Sequence, residues 1–169
     1  MSLRPKVYYL VGSIEHHPTN GWHWRNSLQT FLEAKGHKVI NPVTAEIKAL
    51  QVADTPLDWQ KFKKTNLTKY CIIMRQIIDF DLDVVINQCD AIIVRWDEYI
   101  PKGAGSHAEI SFAYYFKKPV FLIYEGDISE IPGWLLGCVS KFYTSIKSFK
   151  EGFDVLVSDS MASRPKGGD

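Results

Sequence analysis

Three continuous apolar runs constrain this sequence most: VYYLV at Val7 to Val11, AIIV at Ala91 to Val94, and VFLIY at Val120 to Tyr124. None alternates apolar with polar residues. A continuous apolar run of four or five residues reads as a strand buried on both faces, the signature of a parallel sheet covered by helices. A shorter run, HKVIN before Pro42, reads as a further strand, and KFY at Lys141 to Tyr143 as a fifth. Helical spacing fills the gaps. Trp24, Leu28, Phe31 and Leu32 share one face, and Gly36 stands where a helix C-terminal glycine belongs. Ile73, Ile77, Phe80 and Val84 predict a helix over about Thr68 to Gln88, with the acidic DFDLD at 79–83 a point where it could break. Further helices are predicted from Ser106 to about Phe116 and from Ser145 to Val157. The expected fold is a three-layer α/β/α sandwich, flavodoxin- or Rossmann-like, on about five mostly parallel strands.

Residues 1–157 are read as one domain and 158–169 as a flexible tail, since SDSMASRPKGGD offers little to bury. Thr44 to Tyr70 reads as an insertion whose amphipathic PLDWQKF could form a lid. The 20 basic and 19 acidic residues nearly cancel, which gives no electrostatic reason to expect a nucleic-acid polymer or a membrane surface as partner. Three cysteines without C-x-x-C spacing indicate neither a disulfide framework nor a zinc site. With no signal peptide and no apolar run of membrane-spanning length, the expectation is a reduced, cytoplasmic protein.

Ligands of such sheets bind beyond the carboxyl ends of the strands, so the loops Gly12 to Trp22 and Arg95 to Ser106 matter most. The first opens with Gly12-Ser13, a turn that lets backbone approach a ligand. The second ends in Gly103-Ala-Gly-Ser-His-Ala-Glu109. It matches neither a Walker loop nor G-x-G-x-x-G, so no nucleotide cofactor is expected. Ser106-x-x-Glu109 has the form of a capping box, which would occupy Glu109 structurally. Glu109 also stands at the mouth of the expected crevice, close to a helix N-terminus that favours the ionised carboxylate needed for covalent attack on a sugar carbon. His16, His17 and His23 share a loop with no carboxylate at ligand spacing, so no metal is expected, and His107 reads as a surface residue. Trp22, Trp24 and Trp96 are candidates for base stacking, Trp24 also fitting a buried helix face. Arg25 either pairs with an acid or a phosphate, or faces solvent.

Taken together, Tyr9-x-x-Gly-Ser-Ile14, an acidic segment before Cys89-Asp90-Ala-Ile-Ile, Gly105-Ser-x-x-Glu-Ile-x-x-Ala113 and Lys118-Pro-Val resemble the nucleoside 2-deoxyribosyltransferase family, which includes the deoxynucleoside 5'-monophosphate N-glycosidases. The likeness covers roughly residues 6 to 124. Trp24-Arg25, the longer middle and Gly-Ala-Gly-Ser also resemble its phage-type and uncharacterised bacterial members. The resemblance implies a nucleophile at Glu109, oriented by Tyr9, and a substrate-holding aspartate at Asp81. It implies substrate contacts from Gly12, Ser13, Ile14, Gly105 and Ser106. The family aspartate lies eight residues before the strand-leading acid, and eight before Asp90 is Leu82, so Asp81 and Asp83 both straddle the position. Asp90 itself reads as structural. Where many transferases carry a base-contacting aspartate this chain has Gly103, with Asp97 and Glu98 the nearest replacements. The implied activity is cleavage of the N-glycosidic bond of a nucleoside through a glycosyl-glutamate, with sugar transfer to another nucleobase. Hydrolysis of a deoxynucleoside 5'-monophosphate, and a non-catalytic nucleotide-binding module, are the alternatives. The implied partners are the small-molecule nucleoside or nucleotide, a nucleobase and other copies of the chain in a homo-oligomer.

Overall fold

The computed structural model describes residues 4–45, 55–56 and 58–153. The tail, the end of the helix expected to reach Val157 and the centre of the 44–70 insertion lie outside the described residues. Five strands, β1 (Val7–Val11), β2 (Lys38–Ile40), β3 (Ala91–Arg95), β4 (Val120–Ile123) and β5 (Lys141–Tyr143), form an all-parallel sheet in the order β2-β1-β3-β4-β5. This is the three-layer α/β/α architecture expected from the sequence. The chain leaves β1 toward one edge and, after β2, crosses back to β3 on the other side. The loops that follow β1 and β3 therefore part at the carboxyl ends of these strands and open a crevice there.

Helix α1 (Trp22–Ala34) packs Trp24, Leu28 and Leu32 on one face of the sheet, against Tyr8, Leu10 and Ile93. Phe149 and Phe153 of a helix over 146–153 complete that layer. α1 ends where expected: Gly36 takes φ +82°, and the His37 amide donates back to the Leu32 carbonyl. On the opposite face, Tyr9, Val11, Ile92, Val94 and Leu122 pack against Ile110 and Ala113 of α3 (Ala104–Tyr115) and Leu135 of α4 (Gly133–Cys138). Successive strand residues point to opposite faces, so Tyr8 and Tyr9, alike in chemistry, enter different cores.

α2 (Leu67–Asp83) is capped by Asn66, whose side chain accepts from the Lys69 amide at 3.0 Å. The DFDLD acids do not break it. The helix runs through them and then widens into a π-type turn, Val84–Gln88, closed by the Cys89 amide on the Val84 carbonyl, with Val84 and Val85 fully buried. α4 was not evident in the sequence: its six residues, GWLLGC, carry two glycines and too short a periodic pattern. Asp90 holds the start of the sheet, accepting from the Val7 amide at 2.8 Å and the Arg4 guanidinium at 2.9 Å.

Candidate active site

The crevice is a cavity of about 440 Å³, within the range of small-molecule sites. Its floor is polar. Tyr9, fully buried on the central strand, projects toward α3, where Glu109 is only 8% exposed. The Tyr9 hydroxyl lies 2.7 Å from Glu109 Oε1 and 3.0 Å from Asp81 Oδ1, so one phenol joins residues 72 and 100 positions away in sequence. A phenol carries one proton and can satisfy one carboxylate fully. The hydroxyl is the donor in both contacts, so its single proton is shared between the two carboxyl groups. Burial, then the two carboxylates, push the Tyr9 pKa well above its ordinary value of 10.0. Burial likewise raises Asp81 from 3.8 to about 6, with the Tyr9 hydroxyl pulling the other way. A carboxyl group that keeps its proton up to about pH 6 therefore sits one phenol away from a carboxyl group accepting a hydrogen bond.

The phase of α2 decides between the two candidate aspartates. Tyr70, Met74, Ile77 and Asp81 follow at i, i+4, i+7 and i+11 and line the cavity together. Asp83, two residues on, is exposed and accepts from the Asn87 and Gln88 side chains, away from the cavity. Asp97 also differs from expectation. Its Oδ1 accepts from the Tyr99 and Ile100 amides at 2.9 and 3.1 Å, shaping the loop after β3, and it does not line the cavity. Glu98 is exposed. The capping box is absent: α3 begins at Ala104, with Gly103 as N-cap and no side-chain cap, so Ser106 lies inside the first turn and Glu109 is turned to Tyr9.

Gly12, Ser13, Ile14, Gly105 and Ser106 all line the cavity, as do His16 and Gly103. A Cβ on Gly12 would lie 2.7 Å from the Trp24 ring, which fixes glycine there. Of the tryptophans singled out, Trp24 is core, Trp96 is buried and stacked on His107 at 5.9 Å, and Trp22 is 46% exposed; none reaches the cavity. His107 is thus half-buried beneath that ring rather than a surface residue. His17 accepts from the Thr19 and Gly21 amides, and His23 is exposed. Among the described residues no cluster of three or more His, Cys, Asp or Glu could hold a metal ion, and no helix is long and apolar enough to cross a membrane.

No protein-family model matches this chain, and no curated protein sequence matches it. A solved structure does. The CMP N-glycosidase BcmB of Clostridium botulinum superposes over 89% of this chain and 99% of its own, with a TM-score of 0.56 at 20% identity. The similarity is one of fold.

The wall opposite the floor includes Pro56, Trp59 and Gln60 of PLDWQKF, the stretch that the sequence suggested could form a lid. Trp59, 5% exposed, stacks on Tyr70 with ring centroids 5.5 Å apart and 27° between planes, and both line the cavity with Pro42, Val43 and Pro56. The available signal was the tryptophan in PLDWQKF, an aromatic placed in an otherwise polar insertion. Lys63 reaches across to Glu15 at 3.2 Å and ties this wall to the loop after β1.

Proposed function

We propose that the protein cleaves the N-glycosidic bond of a nucleoside or nucleoside 5'-monophosphate, with Glu109 as nucleophile and Asp81 as the acid. The observation that carries this is the Tyr9 hydroxyl shared by Glu109 and Asp81 at the bottom of the cavity. Two carboxyl groups in one site, one favouring its proton and the other accepting a hydrogen bond, are what glycosidic cleavage with retention uses. Glu109 attacks the anomeric carbon while the bond to the base nitrogen breaks, its electron pair leaving with the base. Asp81 gives its proton to that nitrogen. Water then adds to the anomeric carbon of the glycosyl ester, releasing Glu109 and returning a proton to Asp81. Tyr9 keeps Glu109 aimed throughout.

The fold shared with a CMP N-glycosidase and the motif resemblance support this reading. A base in place of water would make the same intermediate a transferase's, and the presence of Gly103 where transferases place a base-contacting acid favours hydrolysis. The test is a panel of ribo- and deoxyribonucleosides and their 5'-monophosphates, with base release followed by chromatography, with and without a second free base. Release from at least one substrate, lost in Glu109→Gln, is expected. No release from any, with folded protein, overturns the reading. A homo-oligomer belongs to this proposal: α3 carries Glu109 inward while Phe112 and Tyr115 on it and Phe116 just after it stand exposed, 38%, 74% and 41%. Light scattering that finds an active monomer at micromolar concentration removes that part.

A further inference from the structure

Arg25 is the largest fully buried side chain among the described residues, and it forms no ion pair there. Its partners are backbone carbonyls. Nη2 donates to Gly12 at 2.8 Å, and Nη1 donates to Asn20 at 2.5 Å and to Ser13 at 3.4 Å. The guanidinium therefore gathers both ends of the loop that rims the cavity. Its carbon also sits 4.4 Å from the Trp24 ring centre. Burial lowers its pKa only to about 10, so the cation persists at neutral pH, with Glu109, Tyr9 and Asp97 countering that loss. Burying a charge without a counter-ion is costly, and neutral carbonyls offset that cost less well than a carboxylate does. A lysine, with one compact ammonium, could not hold carbonyls at two ends of a loop in a planar fork.

Two glycines make room for it. A Cβ on Gly21, where φ is +64°, would lie 2.2 Å from Arg25 Nη1, and one on Gly12 would lie 3.3 Å from Nη2. The consequence for the cavity follows from the planar trans peptide, in which a carbonyl and the next N–H point in opposite directions. With the Gly12 and Ser13 carbonyls drawn down to Arg25, the amides of Ser13 and Ile14 are turned away from it, and both residues line the cavity. Neither amide donates to another described group.

We infer that Arg25 is a positioning residue that holds the Gly12–Gly21 loop so that the Ser13 and Ile14 amides receive an oxygen of the substrate, a sugar hydroxyl or a phosphate. The inference rests on the reading of the cavity as a nucleoside site. It differs from the roles of Glu109 and Asp81 in acting on binding rather than on bond cleavage. The guanidinium reaches substrate only through the loop and its field.

The test measures kcat and KM for Arg25→Lys and Arg25→Gln against a nucleoside and its 5'-monophosphate, together with amide hydrogen exchange over residues 12–21. Expected in both variants are a KM rise of at least tenfold with kcat within about threefold of wild type, and faster exchange confined to that loop. If the oxygen received is a phosphate's, Arg25→Gln penalises the monophosphate more than Arg25→Lys does; if a hydroxyl's, the two substrates suffer alike. Gly21→Ala, which displaces the guanidinium without removing it, is expected to reproduce the KM effect and stands in should the Arg25 variants not fold. Unchanged KM with only a lower melting temperature, or a loss confined to kcat, overturns the inference. Failure of wild-type protein to cleave any substrate counts against the proposed function instead, and the exchange data still decide whether Arg25 holds the loop.

Discussion

The floor and the wall of the cavity are built on different principles. Tyr9 stands on the central strand and Glu109 on the inward face of α3, in a layer with Val11, Ile92 and Ile110 at 1% exposure or less. Their positions are therefore fixed by core packing, and moving either means disturbing the sheet. The wall of Trp59, Tyr70, Met74 and Ile77 is carried by elements that face solvent on their other side, where Leu67 and Ile72 are more than half exposed. One aromatic stack holds the wall together, one exposed ion pair ties it to the loop after β1, and α2 meets the floor where Asp81 contacts Tyr9. On the proposed function, chemistry that tolerates little displacement occupies the floor, and recognition that can accept several shapes occupies the wall. Floor variants should then change kcat, and wall variants KM.

Removing the Glu109 carboxylate is the strongest test of the division. Glu109→Gln keeps the hydrogen-bond geometry yet is expected to lower kcat by about 10³-fold or more, while circular dichroism and melting temperature stay close to wild type. A variant with ordinary kcat would move the nucleophile elsewhere.

Asp81→Asn comes next, with about 10²- to 10⁴-fold slower release of poor leaving groups and a smaller loss for activated ones. It also has a thermodynamic signature. The folded protein holds the Asp81 proton more tightly than the unfolded chain does, about 6 against 3.8, so this group favours folding below the lower value and costs stability as pH rises through the higher. Asp81→Asn should therefore melt above wild type near neutral pH and not at about pH 4. In activity, wild type should lose base release above about pH 6, a limb that the variant lacks. Equal melting temperatures at both pH values would show that Asp81 does not hold its proton as proposed.

Tyr9→Phe sharpens the account of the floor. Its hydroxyl lowers the Asp81 pKa, so its removal should shift the descending limb of the pH profile upward and cost about 10- to 100-fold in kcat, with KM little changed. On the wall, Trp59→Ala removes the stack on Tyr70 and should raise KM by about tenfold, consistent with an aromatic pair of roughly 0.5–1.5 kcal/mol plus lost contact with the base. A kcat effect larger than the KM effect would break the proposed division. Smallest of all, Lys63→Ala removes an exposed ion pair and should leave the melting temperature close to wild type and KM within about twofold.

The floor was legible in sequence because it is written on regular elements. Tyr9 belongs to a continuous apolar strand, Gly12-Ser13 to the turn ending it, and Glu109 to the helix after a glycine-rich loop. What misled was the start of that helix: Ser106 and Glu109 have the spacing of a cap, but Gly103 takes the N-cap and the helix begins two residues earlier than expected. Spacing alone left Asp81 and Asp83 equivalent; only the phase of an uninterrupted α2 separates them, and the acidic run disguised its continuity. The wall was legible only as an insertion that could form a lid, because no period runs through Pro56 to Thr65, where a three-residue 3₁₀ turn passes into a four-residue helix. Arg25 stood open between an acid or phosphate partner and solvent, and it meets neither solvent nor, among the described residues, an acid: its burial depends on carbonyls that only the folded loop supplies.

The adjacent Tyr8 and Tyr9 have a consequence for how this chain can change over evolutionary time. One ring packs edge-on against His37 and Phe153, and the next points at Glu109 from the other side of the same strand. A substitution at either affects one face only. With the Val7 end held at Asp90, inserting one residue before Tyr8 would turn Tyr8 toward Glu109 and Tyr9 to the other face, whereas deleting one would bring Leu10 to that position. After the insertion a phenol would still face Glu109, but Gly12 and Ser13 would stand one residue out of place against it. The site could then look intact in a sequence comparison while the sheet that carries it is out of step. β1 should therefore accept point changes more readily than changes of length, and relatives of this chain should keep the spacing from Val7 to Gly12 even where they do not keep the residues.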